Sequence, residues 1–343
     1  MPPTFAAALR DVRAKSRDAR LAACQRLAQA SAGEVDEAVA ALSVASGDAE
    51  AIVRAAGIRA LGELSLEHGE ALARDGKLSA LLIERVRDRS PFVREAATIA
   101  LGQLGGERAH NALEAALQSE HPEVRFQAIA GFAETSASAD PRRLTPLLSD
   151  PDGEVRGQAA RALATLAETA PDAKAAALEA LKALLSDTHA RTRAEAALAL
   201  ARLGDASGSD VFAAALEDPT QRGEVLEAIA ALGLTRYADR LARIARNVFT
   251  SPFDRMAIAR VLVRLGDARG VELLRAALSG FRVTPRILAV QAVGDLGLTE
   301  LAPALAKLKD RPRGVDRATL DAALERLNSR FPQDPSGFPP PSP

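Results

Sequence analysis

One arginine recurs along the chain with apolar residues seven and ten positions behind it, and that spacing constrains the fold more than any other feature. Arg94 sets the register, followed by Leu101 and Leu104. The same offsets give Leu61 and Leu64 after Arg54, Leu163 and Leu166 after Arg156, and Leu200 and Leu203 after Arg193. They continue through Arg222 (Ile229, Leu232), Arg255 (Leu262, Leu265), Arg286 (Val293, Leu296) and Arg317 (Leu324, Leu327). Arg20 and Arg125 keep only the first partner, Leu27 or Phe132, and reach Ala30 or Thr135 at the second, so these copies read as degenerate. Ten copies lie 29 to 40 residues apart, most often 31. A unit that small leaves an apolar face exposed unless neighbours stack on it, so the period specifies a solenoid.

The copy at 88–105 shows the anatomy of the unit. Ser90 stands as an N-cap with Pro91 in the first helical position. Val93, Ala97, Leu101 and Leu104 then share one face, and Gly105 offers a stop. Read this way, helices pair as 4–15 with 18–31, 34–45 with 50–66, 77–87 with 88–105, and 108–118 with 122–134. A short outer helix at 141–148 pairs with 153–168, and 172–186 pairs with 189–203. The pairs 209–217 with 221–232, 235–247 with 252–265, 268–278 with 284–296 and 299–309 with 314–330 follow. The expected fold is all-α, one solenoid domain over 1–331 with a disordered Pro-rich tail at 332–343.

Composition agrees. Apolar residues make up 48% of 343 but aromatics only 3%, with no Trp, so helices can approach closely on Ala and Leu. The formal net charge of -1 exerts no strong pull on nucleic acid or anionic lipid. The lone Cys24 excludes an intramolecular disulfide and, beside the apolar stripe, reads as a buried thiol. There is no secretory signal and no run of 18 apolar residues, so the expectation is a cytoplasmic protein without a membrane span. Ala- and Arg-rich usage fits a GC-rich bacterial genome.

The segments Asp88…Val93-Arg94…Ala97…Ala100-Leu101…Leu104 and Asp150…Val155-Arg156…Ala159…Ala162-Leu163…Leu166 resemble the HEAT repeat, in its short bacterial type named after phycobilisome lyases. The resemblance implies an α-solenoid (superhelix) of about ten HEAT-like helical hairpins. It also implies a structural ladder in which the motif Asp and Arg bond along the turns, carried here by Asp48, Arg54, Asp88, Arg94, Asp150, Arg156, Asp187 and Arg193. Later copies keep the Arg but lack the Asp six positions earlier.

In that family the second helix of each pair lines the concave side. Its water-facing positions fall one, five and nine after the register Arg. The plus-five row is Gln25, Arg59, Ile99, Ala130, Arg161, Leu198, Glu227, Arg260, Gln291 and Ala322; plus one includes Leu21, Glu95, Phe126, Met256 and Ile287. Apolar side chains on a wet face mark a partner site, so Ile99, Phe126 and Leu198, with Arg59, Arg161 and Arg260, form the candidate partner-binding set.

Charge is uneven. Residues 231–330 hold 18 Lys/Arg against 10 Asp/Glu, with Arg236, Arg240, Arg243 and Arg246 at helical spacing and Arg260 and Arg264 on the next helix. Catalytic signatures are missing: His68, His110, His121 and His189 lack metal-ligand spacing, and no nucleophile elbow or phosphate loop occurs. The expectation is therefore a non-enzymatic scaffold or adaptor without a cofactor, binding protein partners along its concave face. The resemblance includes small GTPases or their regulators among such partners. Two alternatives are a nucleic-acid-binding helical-repeat protein and, implied only by the family name, a bilin lyase or isomerase. Both want aromatic stacking surfaces, which one Tyr (Tyr237) and no Trp supply poorly.

Overall fold

The computed structural model describes residues 3–74, 76–135, 139–310 and 312–330. The Pro-rich tail at 332–343 lies outside the described residues. Every regular element among those described is helical. Where the sequence reads as one domain, the chain divides into two compact units, Met1–Leu203 and Gly204–Pro343.

The first unit holds six hairpins. They are α1 (Phe5–Asp11) with α2 (Arg17–Leu27), α3 (Val35–Ala45) with α4 (Ala51–Arg74), and α5 (Lys77–Arg85) with α6 (Pro91–Leu104). Next come α7 (Gly106–Ala116) with α8 (Pro122–Thr135), two 3-10 turns (Pro141–Arg143 and Thr145–Ser149) with α9 (Gly153–Thr169), and α10 (Pro171–Ala183) with α11 (Ala190–Arg202). The second helices form a continuous layer, α2 on α4, α4 on α6, α6 on α8, α8 on α9 and α9 on α11. Leu27, Leu61, Leu101, Phe132, Leu163 and Leu200, all seven positions after a register Arg, are fully buried in it.

Three local readings needed correction. The helix expected at 141–148 is instead the pair of 3-10 turns, because Pro146 has no N–H to bond four residues back. Helix α4 runs to Arg74 rather than stopping at 66. Gly69 does not break it; it admits the end of α6, whose Leu104 carbonyl oxygen would lie 3.1 Å from a β-carbon there. At the start of α6, Ser90 is the N-cap residue but makes no side-chain cap bond. Asp88 holds that turn instead, its Oδ1 accepting from the Ser90 N–H at 2.8 Å. Gly105 does end α6, at φ 66°.

The second unit holds four hairpins. A 3-10 turn (Ser209–Val211) and α12 (Phe212–Ala215) pair with α13 (Arg222–Ala231), and Thr235–Tyr237 with α14 (Ala238–Arg246) pair with α15 (Pro252–Arg264). Then α16 (Ala268–Ser279) pairs with α17 (Val283–Leu296), and Thr299–Leu301 with α18 (Ala302–Asp310) pair with α19 (Arg317–Arg330). Helices α13, α15, α17 and α19 pack in succession. Each of the first three ends in a Leu-Gly stop, with Gly233, Gly266 and Gly297 left-handed. The next N–H reaches back five residues, Leu234 to Ile229, Asp267 to Leu262 and Leu298 to Val293, at 3.0, 2.8 and 3.1 Å. Those bonds occupy carbonyls that a helix end leaves orphaned.

Candidate functional site

The register arginines come first, because they decide which cations are free to bind anything. Each sits in the first turn of a second helix, and from Arg20 to Arg286 each sends its guanidinium back to the turn it has just left. Arg54 Nη1 donates to the Asp48 carbonyl at 3.0 Å, Arg94 to Asp88 at 2.9 Å, Arg156 to Asp150 at 2.7 Å and Arg193 to Asp187 at 2.7 Å. The acceptor lies six residues upstream, just past the end of the first helix, where carbonyls lack partners and the helix dipole favours a cation.

In the first unit the same arginine also bridges to the next repeat. Arg54 grips Asp88 at 2.9 and 2.8 Å, Arg125 grips Asp150 at 2.7 and 2.7 Å, and Arg156 grips Asp187 at 2.6 and 2.7 Å. Arg20 reaches Asp48 at 2.8 Å. Each Asp meanwhile accepts from the backbone N–H two residues on, Glu50, Ser90, Asp152 or His189. One carboxylate thus shapes its own turn and locks the preceding repeat. Arg156 holds the Asp187 carboxyl below the usual carboxylate range. At Asp88, burial pushes the carboxyl up, but bonds from Arg54 and the Ser90 N–H outweigh it and the pKa is lowered.

The ladder departs from the motif at one rung. Ser119 stands where the repeat's Asp belongs, and its hydroxyl accepts from the His121 N–H at 3.3 Å. A hydroxyl cannot bind a guanidinium as a carboxylate does, and Glu123 takes over, bonded by Arg94 Nε at 3.0 Å. Arg20 and Arg125, degenerate by their apolar offsets, are full members of the ladder.

The candidate partner face is placed unevenly. In the first unit Gln25, Arg59, Ile99 and Arg161 are exposed as expected, whereas Leu198 and Phe126 are half-buried, Phe126 packed against the core. Phe126 borders the start of α9 at Gly153 and Gly157, a contact that helical angle does not register. Arg59 takes part in no ion pair among the described residues and borders a groove of about 360 Å³ between α2 and α4, floored by Cys24, Ala28, Ala56 and Ala60. Cys24 is buried, and desolvation pushes its thiol up to about 11, with the Asp48 charge adding to the rise. Arg161 is clamped by Glu195 at 3.1 and 2.7 Å and meets Phe126 in a groove of about 110 Å³ beside Gly153 and Gly157. In the second unit Glu227 and Gln291 are exposed, Arg260 is half-buried on Asp295 at 3.0 Å, and Met256, expected on the wet face, is buried.

The basic row is largely neutralised. Arg236 pairs with Asp210 and Arg240 with Glu217, both at 2.7 Å, and Arg264 pairs with Glu227 at 3.1 Å. Tyr237 is buried, its hydroxyl donating to the Ser209 carbonyl at 2.5 Å, so it offers no stacking surface. His110 stacks on Phe132 and meets Thr135, and His189 meets Thr192 at 3.1 Å. Among the described residues no His, Cys, Asp and Glu cluster fits a metal ion, and no helix is long and apolar enough to cross a membrane.

A set of side chains at the turns that feed second helices falls outside the repeat's apolar spacing. Ile52 and Phe92 in the first unit, and Val248, Phe249, Phe253, Phe281 and Val283 in the second, are exposed. Phe92 and Phe253 each stand two residues before a register Arg, so aromatics in a turn of an aromatic-poor chain were the available signal.

With the repeat geometry in place, sequence comparison agrees with it. The profile of HEAT repeats matches residues 69–133 and 141–233, and that of the PBS lyase HEAT-like repeat matches 254–280. The chain is a HEAT-repeat protein. No curated protein matches it in sequence. Among solved structures, importin beta is similar at a TM-score of 0.56 and 14% identity, over 94% of this chain and 52% of that one. The HEAT-repeat chain thus spans about half the length of importin beta, and the likeness is one of fold. An engineered protein (TM-score 0.43, 21% identity, 94% of this chain and 98% of that one) is also similar. So is a designed armadillo repeat protein in complex with the peptide (KR)4 (0.43, 21%, 59% and 100%).

Proposed function

We propose that this HEAT-repeat chain is a non-catalytic scaffold that binds a partner protein along the second-helix face of its first unit. The observation that carries the reading is the contrast between the register arginines and the side chains five positions after them. The register arginines of the first unit are spent on turns and rungs, whereas five positions on Arg59 is exposed beside a groove that Glu63 also lines, and Ile99 is exposed on the same row. A cation without an ion-pair partner and an apolar side chain on one layer suit a peptide or helix that brings acidic and apolar groups together. A small GTPase or its regulator is the class of partner that the family resemblance adds. Half-buried Phe126 and Leu198 belong to the floor of the face rather than to its contacts.

The test is affinity capture with the full chain on nuclease-treated lysate over a salt series, beside Arg59→Glu and Ile99→Asp variants that retain the helical circular-dichroism spectrum. A stoichiometric protein retained by the parent and lost by both variants supports the reading. Retention of nucleic acid or pigment alone, or of the same partner by every variant, overturns it.

A further inference from the structure

The most exposed large apolar side chains of the molecule are not on the second-helix face. They lie at one edge of the second unit, where α15 and α17, packed side by side and parallel, begin. The turn entering α15 carries Val248 and Phe249, with Phe253 in the helix's first turn; the turn entering α17 carries Phe281 and Val283. Phe249 is 92% and Phe281 99% exposed. The two turns are equivalent stations of successive repeats, because Phe249 lies six residues and Phe281 five before their register arginines, Arg255 and Arg286. Both turns are fixed from beneath. Arg255 donates to the carbonyls of Ala245, Asn247 and Thr250 at 2.8, 3.0 and 3.3 Å, and buried Arg286 donates to those of Gly280 and Arg313.

Arginines outnumber carboxylates at this edge. Arg246 ends α14, Arg282 stands between Phe281 and Val283, and Arg317 begins α19; all three are exposed and take part in no ion pair among the described residues. Of the carboxylates at the same edge, Asp254 pairs with Arg222 at 2.7 Å and Asp316 accepts from the Thr319 N–H and hydroxyl at 2.8 and 2.7 Å, while Asp310, ending α18, is exposed.

We propose that this edge docks on an anionic membrane surface, with Phe249, Phe281 and their apolar neighbours entering the interface and Arg246, Arg282 and Arg317 lying against lipid phosphates. Two physical arguments favour lipid over a protein groove. A protein hot spot sits in a packed pocket, whereas side chains exposed above nine-tenths stand clear of their own fold and suit a fluid apolar phase that needs no shape complement. Apolar tips rimmed by unpaired arginines also match the two components of peripheral binding, area buried in the acyl boundary and attraction to anionic headgroups. The net charge of -1 leaves the attraction local to this edge rather than global.

The test is sedimentation of the full chain with vesicles of phosphatidylcholine alone and of phosphatidylcholine mixed with phosphatidylglycerol. The parent should partition onto the mixed vesicles and release as salt rises. The double variant Phe249→Ser/Phe281→Ser should lose about tenfold or more in partition. Arg246→Gln and Arg282→Gln should each lose about fivefold on mixed vesicles. Since all four side chains are exposed, thermal melting should remain that of the parent. Equal partition of parent and Phe variant overturns the proposal, as does failure of the parent to bind mixed vesicles. If vesicles fail but soluble polyglutamate is retained by the parent and lost by Arg246→Gln, the edge is an acidic-protein site and the membrane assignment falls.

Discussion

The two units use the same arginine differently. In the first, each register Arg from Arg20 to Arg156 caps its own turn and also holds a carboxylate of the following repeat. In the second, Arg222 still finds Asp254 at 2.7 Å, but Arg255 and Arg286 bond backbone carbonyls. What persists is the bond to the turn left behind, found at Arg286 and Gly280 as at Arg54 and Asp48. Capping the orphaned end of the first helix is therefore the common duty of this residue from Arg20 to Arg286, and the inter-repeat rung is an addition available where an acid follows. The apolar rows differ in parallel. Ten positions after the Arg, Leu64, Leu104, Leu166 and Leu203 are buried, whereas in the second unit Leu232, Leu265 and Leu296 are half-buried and only Leu327 is buried.

The sharpest way to break this comparison is Arg156→Ala. It removes a two-bond rung and leaves Asp187 largely buried without its cation, so urea unfolding should show a loss of about 3–5 kcal/mol. A loss below that of an ordinary surface change would demote the ladder to ornament. Next in size, Leu104→Ala should cost about 2–5 kcal/mol as a core cavity, and Leu265→Ala should cost clearly less in the same assay. Equal losses would mean that the partial exposure of Leu265 does not weaken its packing.

Arg286→Met should cost about 2–3 kcal/mol, from carbonyls left unbonded, by the same amount at neutral and acid pH. Asp187→Asn behaves differently. The folded carboxyl titrates below the unfolded one, so the rung's contribution is complete above the unfolded pKa, about 4, and is lost as pH falls through the lower folded value. Stability profiles of parent and Asp187→Asn should therefore converge in acid. Smallest of all, Glu123→Ala should cost about 1–2 kcal/mol, and Ser119→Asp in the same chain should restore much of it by returning the motif acid to Arg94. No recovery would show that the rung requires the Glu123 geometry.

Much of this was legible beforehand. The Arg register marked the second helices, and Asp88, Asp150 and Asp187 bond as the family motif implies. What escaped was whatever depends on a neighbour. Ser119 broke the motif without breaking the rung, because Glu123 approaches from the next turn of the same repeat. Phe126 and Leu198 shared a face with exposed Ile99 but are half-buried, Phe126 against the core. Arg240 and Arg264 formed a basic stripe in sequence and ion pairs in space, with Glu217 contributed by the turn after α12 and Glu227 by α13.

The sequence by itself determined the repeat, the pairing of helices and the identity of the buried row, because a period of about thirty residues and a spacing of seven are properties of one chain read along its length. Only the tertiary structure decided which cations are free, which apolar side chains are wet, and that Phe249 and Phe281 share one edge. Those depend on side-chain approach between repeats, where a residue's partner lies some thirty positions away.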